Sequence, residues 1–294
     1  MDEVIAVTGA TGRVGGRITR RLADEGVTVR ALGRDAAKLA QLTAAETAQA
    51  SYDDADAMRR ALTGATTLFL CSAHEGPGRV GIHRAAVDAA LAAGVRRIVY
   101  LSYLGAAPDA TFTYARDHWH TEQYIRAAGV PFTFLRDSSY QSDLVAMTGD
   151  DGVLRGPAGD GRVAAVTHDD VADAATAVLL DGGTDGEASP HHAATYDLTG
   201  PEALSFAEIA ATISRAAGRA VSYHPETRAE AYASRAVYGA PDWEVAGWVS
   251  SYEAVATGEM DVVSDAVRAL TGRTPQSFAD FLAAHPESYR RLLA

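Results

Sequence analysis

The sequence predicts an α/β protein: a doubly wound parallel sheet carrying a small, mostly helical C-terminal lobe. Three observations predict it. Short apolar runs alternate with longer amphipathic stretches over the first 150 residues, the pattern of strands covered by helices on both faces. Glycine follows the helix-like segments at positions 26, 64, 94 and 129, where a helix is commonly closed. The opening apolar run passes through three spaced glycines directly into an amphipathic segment. A chain of 294 residues, 47% hydrophobic and 22% charged, is long enough for one large domain or two modest ones and has a globular balance.

Six strands are expected in the first half. Val4–Thr8 and Thr67–Cys71 are almost wholly apolar, as strands buried on both faces must be. Val27–Leu32, Arg97–Ser102 and Phe132–Arg136 are rich in β-branched and aromatic residues, and Glu46–Ser51 is the most polar of the set. Between them lie helical segments at Val14–Glu25, Asp35–Leu42, Ala55–Leu62, Val80–Ala93 and Tyr114–Ala128. In the first of these, Val14, Ile18 and Leu22 share one face.

Beyond residue 150 the texture changes. Gly149–Gly161 is rich in Gly and Asp, with two turns around a short Val153–Arg155 strand. A strand at Val163–Val166, a helix from Asp169 or Asp170 to Leu180 and a polar loop at Asp181–His192 follow. Next come a strand at Thr195–Leu198 and a helix at Ser205–Ala217, and from Pro225 onward the sequence reads as helices only. Trp243 and Trp248 read as packing within this part. The expected division is 1–150 for the sheet domain and 151–294 for a substrate-side lobe interleaved with the last strands.

Composition excludes several functions. A net charge of −12 argues against a nucleic-acid partner. Residues 1–40 run against that trend at +2, leaving −14 for the rest, which suits a small anionic ligand near the start. The single cysteine, Cys71, excludes an internal disulfide framework and a cysteine-built metal cluster. His118 and His120 stand two apart on a helix and cannot chelate together, and His74-Glu75 lacks the second His of a zincin, so no metal is expected. Lys38 is the one lysine against 25 arginines, which rules out a P-loop and disfavours Schiff-base chemistry. No apolar run approaches the ~18 residues of a membrane span, and the acidic Met1-Asp2-Glu3 leads into a strand rather than a secretory leader. A cytoplasmic location, with no membrane and no nucleic acid as partner, is the expectation.

The glycines carry the chemistry. In Val4-Ile-Ala-Val-Thr-Gly-Ala-Thr-Gly-Arg-Val-Gly15, Gly9 permits the turn out of the strand, Gly12 lets backbone N–H groups approach a pyrophosphate, and Gly15 lets helix and strand pack closely. The helix N-terminus then presents its positive dipole to phosphate. This is the Rossmann type of dinucleotide site in a G-x-x-G-x-x-G variant, with Gly9, Thr11, Gly12, Arg13, Val14 and Gly15 expected at the cofactor. The second strand ends in Gly33-Arg34, with the nearest acid, Asp35, beyond the tip. A guanidinium there suits a 2′-phosphate rather than a ribose hydroxyl, so NADP(H) is expected over NAD(H). Arg13 is placed to reach the same group. Asp53 is expected at the adenine or as a helix cap, and Ser72, after the fourth strand, beside the nicotinamide or as a turn cap.

Thr8–Gly15 together with Val29-Arg-Ala-Leu-Gly-Arg-Asp35 resembles the atypical short-chain dehydrogenase/reductase superfamily. Within it the chain is similar to the NmrA-like branch that includes NAD(P)H:quinone oxidoreductase type 2. The resemblance continues through Gly94–Ser102, Ile125–Arg136, Asp169–Ala175 and Leu198–Ile209, covers about residues 3–225, and weakens over the last 70.

The resemblance implies a Ser closing the fifth strand and a Tyr-x-x-x-Lys on the next helix, the Tyr donating a proton while the Lys lowers its pKa and holds the ribose. Here these positions are Ser102, Tyr114 and His118, with Glu122 also matching and His118 standing where Lys should be. Histidine can bond ribose hydroxyls but is a poor permanent cation. Tyr114 is either a proton donor or an aromatic covering the cofactor, since the branch commonly loses this pair. Tyr140, after the sixth strand, lies at the sheet edge where open α/β sheets bind ligands, and is either a substrate wall or a core aromatic.

The function implied is NADPH-dependent reduction of a small, largely apolar quinone, enone or ketone in a cleft beside the nicotinamide. A non-catalytic NADP(H)-sensing regulator is the alternative. A nucleotide-sugar epimerase is weakened by the missing Lys. The oligomeric state is left open.

Overall fold

The structure is a computed structural model that describes residues 3–42, 46–182 and 189–293. Its main sheet has seven strands in the order β3-β2-β1-β4-β5-β6-β9. These are β1 (Val4–Val7), β2 (Thr28–Gly33), β3 (Glu46–Gln49), β4 (Thr67–Leu70), β5 (Arg97–Tyr103), β6 (Phe132–Asp137) and β9 (Ala194–Leu198). The β1–β2, β2–β3, β1–β4 and β4–β5 registers are all parallel. The intervening helices are α1 (Arg13–Asp24), α2 (Ala36–Leu39), α3 (Ala55–Leu62), α4 (Arg79–Ala92), α5 (Thr113–Ala127), α6 (Gln141–Ala146) and α7 (His168–Leu180). The strand order reverses between β1 and β4, and open α/β sheets bind ligands outside the carboxyl ends at such a switch.

Two compact units divide the chain, and not by one cut near residue 150. The first takes residues up to Tyr103, Asp117–Arg136 and Val171–Tyr196; the second takes Leu104–Arg116, Asp137–Asp170 and the chain from Asp197. The physical reason is that β6 and most of α5 and α7 stay with the sheet, while the segments leaving β5 and β6 build the other unit. In the first unit Leu68, Leu70, Ile98 and Phe134 of the strands meet Ala86, Val87, Ala90 and Ile125 of the helices in one buried cluster. Each fully buried Leu, Ile, Val or Phe side chain among them contributes about 1.5–3 kcal/mol.

The second unit contains two small sheets. β7 (Val153–Gly156) pairs in parallel with β11 (Ser222–Pro225), and β8 (Arg162–Val163) pairs antiparallel with β10 (Leu204–Ser205). Helices α8 (Phe206–Ala217), α9 (Arg228–Arg235), α10 (Asp242–Ala256), α11 (Ala266–Thr271) and α12 (Phe278–Ala284) complete it, and beyond Pro225 the described residues contain no further strand. The strand expected at Val163–Val166 is shorter, since only a single bridge, Tyr140 to Val166, continues it. Of the expected 181–192 loop, residues 183–188 lie outside the described residues. Buried Asp170 ties the C-terminal segment down, accepting from Thr167 Oγ1 at 2.7 Å, Arg273 Nη1 at 2.7 Å and the Gln276 N–H at 3.0 Å.

Candidate functional site

β1 leaves the sheet through Gly9, whose φ of +62° is the left-handed conformation that favours glycine. A Cβ at Gly15 would stand 2.3 Å from the Gly9 carbonyl oxygen and 2.9 Å from that of Thr8, so helix and strand are in direct backbone contact. The loop is pinned by the Ala10 N–H donating to Leu32 O at 3.1 Å and the Gly12 N–H donating to Gly9 O at 2.8 Å. Gly12 begins α1 with no side-chain cap, and no acid stands in the first turn. By contrast Asp35 caps α2 and Asp54 caps α3. The first-turn N–H groups of α1 therefore keep the anion-binding geometry of a helix N-terminus. Thr11, Gly12 and Arg13 are exposed beside it. Val14 turns its side chain into the core, which leaves its backbone N–H to face a ligand.

Arg34 follows β2 and is exposed. One oxygen of the Asp35 carboxylate, Oδ1, caps α2, accepting from the Ala37 and Lys38 N–H groups at 2.9 and 3.1 Å. Asp53 is exposed, and its carboxyl is held below the usual range by hydrogen bonds from Ser51 and the backbone, with the Arg34 charge acting in the same direction. It does not cap α3; Asp54 does. Ser72 lies just past β4 and is partly exposed.

A further residue at this edge, Tyr52, was not singled out from the sequence. Its hydroxyl lies 2.5 Å from Thr8 Oγ1 and 2.7 Å from Cys71 O, and Thr8 Oγ1 accepts from the Cys71 N–H at 2.9 Å. The phenol, pushed well above its ordinary pKa by burial, stays protonated and ties the ends of β1 and β4 together. A tyrosine closing the third strand was the available signal.

The residues expected at the chemistry are arranged differently from the resemblance. Ser102 is fully buried, and its hydroxyl donates to Glu122 Oε1 at 2.6 Å. Glu122 also takes both prongs of Arg136, Nε to Oε1 at 2.8 Å and Nη2 to Oε2 at 2.7 Å. The Ser102 hydroxyl is thus engaged with the Glu122–Arg136 pair. His118 is also buried, its Nδ1 lies 3.0 Å from the Tyr100 hydroxyl, and burial together with the charge of Arg79 lowers its pKa well below the usual range. It supplies no cation in place of the missing lysine.

His83 completes this interior network. Its Nε2 accepts the Ala73 N–H at 2.8 Å, which places the proton on Nδ1, 2.8 Å from Thr121 Oγ1. Arg79 Nε donates to Ala73 O at 2.8 Å, so both polar groups of Ala73 are fastened and the segment after β4 is fixed. Burial, aided by the Arg79 charge, lowers the His83 pKa to about 3. The unfolded chain takes a proton near pH 6.5 that the folded chain refuses until about 3, so stability falls as pH drops through that window. The expected slope is at most about 1.4 kcal/mol per pH unit from this group. Urea midpoints at about pH 7 and about pH 5 measure it, and His83→Gln is expected to flatten the difference.

In the second unit, Tyr114 packs its ring over α10. A Cβ on Gly247 would meet Tyr114 Cζ at 2.4 Å, and the Trp243 ring lies 6.3 Å away. Tyr140 donates to Asp137 Oδ2 and stacks on His168 with centroids 3.8 Å apart. Among the described residues no group of His, Cys, Asp and Glu is arranged to hold a metal, and no helix is long and apolar enough to cross a membrane.

A doubly wound sheet with a glycine turn and an uncapped helix at its switch point defines a dinucleotide-binding protein of the Rossmann class. The NmrA-like family model matches residues 1–238, and the chain belongs to that family. It is 36% identical over 291 residues, 97% of this chain and 99% of the relative, to a (4-alkanoyl-5-oxo-2,5-dihydrofuran-3-yl)methyl phosphate reductase of Streptomyces griseus. It is 34% identical to quinone oxidoreductase 2 of Escherichia coli over 81% of this chain and 83% of that one. A crystal structure of the NADPH-dependent quinone oxidoreductase from Escherichia coli complexed with NADPH superposes with a TM-score of 0.86 at 30% identity, covering 95% of this chain and 99% of that chain.

Proposed function

We propose that this chain uses NADPH to reduce a small, largely apolar acceptor, with quinones favoured over enones and simple ketones. It is an NAD(P)H-dependent oxidoreductase of the NmrA-like family. The observation that carries the cofactor reading is the Gly9–Gly15 cradle: Gly15 sits where any Cβ would strike the Gly9 carbonyl, and the helix above it begins uncapped. Thr11, Gly12, Arg13 and the backbone of Val14 and Gly15 would hold the pyrophosphate. Arg34, with Arg13 of the glycine loop, would take the 2′-phosphate, while Asp35 Oδ1 caps α2. Asp53 and Ser72 remain the residues we assign to the adenine and nicotinamide ends. The bound nucleotide supplies a hydride.

The preference for a quinone rests on protons. The Ser102 hydroxyl donates its hydrogen bond to Glu122, His118 is packed against Tyr100, and the Tyr114 ring is packed on Gly247. A ketone leaves a strongly basic alkoxide that needs an acid in place; a reduced quinone is a much weaker base and takes its proton from water. Tyr140, hydrogen bonded to Asp137 and stacked on His168, is the aromatic surface we assign to the acceptor.

The test is NADPH oxidation, followed by its absorbance, against a panel of quinones, enones and ketones. Turnover of quinones is expected, with Tyr114→Phe within about twofold of the parent. Loss of about 10²-fold or more in Tyr114→Phe would make it a general acid. Nucleotide binding with no turnover across the panel would favour the sensing regulator.

A further inference from the structure

The turn that leaves β4 is pinned on both sides of one residue. Side chains engage both polar groups of the Cys71 backbone: its N–H donates to Thr8 Oγ1 at 2.9 Å, and its carbonyl accepts from the Tyr52 hydroxyl at 2.7 Å. Ala73 is held in the same way from α4. Its N–H donates to His83 Nε2 at 2.8 Å, and its carbonyl accepts from Arg79 Nε at 2.8 Å. Between them Ser72 is partly exposed, and among the described residues no hydrogen bond engages its N–H, carbonyl or hydroxyl. Four side chains fix the neighbours of a residue whose own polar groups stay open.

The grip from α4 is specific. Arg79 and His83 stand four apart, on one helix face. Thr121 Oγ1 donates to the Asp117 carbonyl at 2.9 Å, so it accepts from His83 Nδ1 at 2.8 Å and leaves Nε2 as the acceptor for Ala73. Burial and the Arg79 charge hold the His83 pKa at about 3, which keeps that acceptor unprotonated. The Tyr100 ring packs against the imidazole with centroids 5.8 Å apart. Arg79 itself is 3% exposed, and among the described residues no carboxylate forms an ion pair with it; its charge acts on Asp117, which is partly exposed, without an ion pair. A guanidinium buried without a paired carboxylate is costly, and an apolar side chain would meet a packing role. What Arg79 supplies is the charge-assisted bond to the Ala73 carbonyl.

We propose that Arg79 and His83 are positioning residues for hydride transfer: by holding Ala73 they set Ser72 against the nicotinamide. This rests on the reading that assigns Ser72 to the nicotinamide end. On that reading the glycine loop and Arg34 hold the phosphates, so loosening the turn after β4 leaves nucleotide affinity nearly intact and moves the reacting ring. A displacement of about 1 Å slows a reaction on the order of 10²-fold.

The test follows the nicotinamide itself, through the fluorescence lifetime of bound NADPH. Beside it stand the NADPH Kd by calorimetry and the single-turnover rate with tetramethyl-1,4-benzoquinone. His83→Leu and Arg79→Met are each expected to bind NADPH within about threefold of the parent, to shift the lifetime toward that of free NADPH, and to slow the single turnover about tenfold to hundredfold. His83→Gln, whose side-chain carbonyl accepts the Ala73 N–H, is expected to recover the parent's lifetime and to bring the rate back within about threefold. Arg79→Met sheds an unpaired buried charge along with its bond, so its Tm stays near the parent's and it reports even where His83→Leu fails to fold. A parent-like lifetime in Arg79→Met, equal losses in His83→Leu and His83→Gln, or a loss of NADPH affinity as large as the loss of rate would each overturn the proposal. If no acceptor turns over, the lifetime still decides it, so it fails separately from the quinone reading.

Discussion

Glu122→Ala is expected to lower folding stability by about 3–5 kcal/mol, enough to leave a large unfolded fraction at ordinary temperature. Glu122 is 0% exposed and accepts three hydrogen bonds, one from Ser102 and two from Arg136. Removing the carboxylate takes from the Arg136 guanidinium, only about a fifth exposed, the paired hydrogen bonds of Glu122. The urea midpoint reads this directly. Ser102→Ala removes one bond of the three and is expected to cost on the order of 1 kcal/mol with turnover near that of the parent. A Ser102→Ala chain of undiminished stability whose kcat falls about 10²-fold would restore Ser102 as a group acting on the acceptor.

Gly15→Val should weaken NADP(H) binding and cost folding stability as well. Its Cβ would lie 2.3 Å from the Gly9 carbonyl oxygen, a backbone atom that cannot rotate away. Relief requires α1 to move off β1, which breaks the cradle and unpacks Ile18 and Leu22 behind it. Overpacking of this kind costs about 1–3 kcal/mol. Losing one or two N–H contacts to a phosphate weakens nucleotide affinity about tenfold to hundredfold. Gly12→Ala is the control: its Cβ would stand 3.1 Å from the same oxygen, so a small adjustment suffices and binding should largely survive. A Gly15→Val chain that binds NADPH as the parent does would contradict the close-contact account of the loop.

The parts legible in sequence are those dictated by short-range rules. β1, α1, β2 and α3 lie within a residue or so of their expected ends because apolar runs, glycine stops and the Asp54 cap act locally. β11 was not legible. Ser222–Pro225 is four residues, mostly exposed, with no alternation, and becomes a strand because β7 offers a partner and Tyr223 donates to Gly156 O at 2.8 Å. The division of the chain was invisible for a similar reason: Arg116 and Asp117 adjoin on one helix but belong to different units, a matter of distant packing. At the site, the glycine motif announces its own geometry, since each glycine answers a backbone constraint. Ser102 and His118 matched a pattern by position, and position does not reveal that Glu122 and Tyr100 have already engaged them. An arginine closing the apolar strand Phe132–Arg136, opposite a helix carrying Glu122, was the overlooked signal of a buried pair.

The central claim is that this cradle, with Arg34 at the tip of β2 and Asp35 capping the helix that follows, is built for the phosphorylated dinucleotide. Calorimetric Kd values for NADPH and NADH, in the parent and in Arg34→Ala, test it most directly. NADPH is expected to bind about tenfold to hundredfold more tightly than NADH in the parent, and that margin should collapse in Arg34→Ala through loss of NADPH affinity alone. Equal affinities in the parent, unchanged by Arg34→Ala, would contradict it.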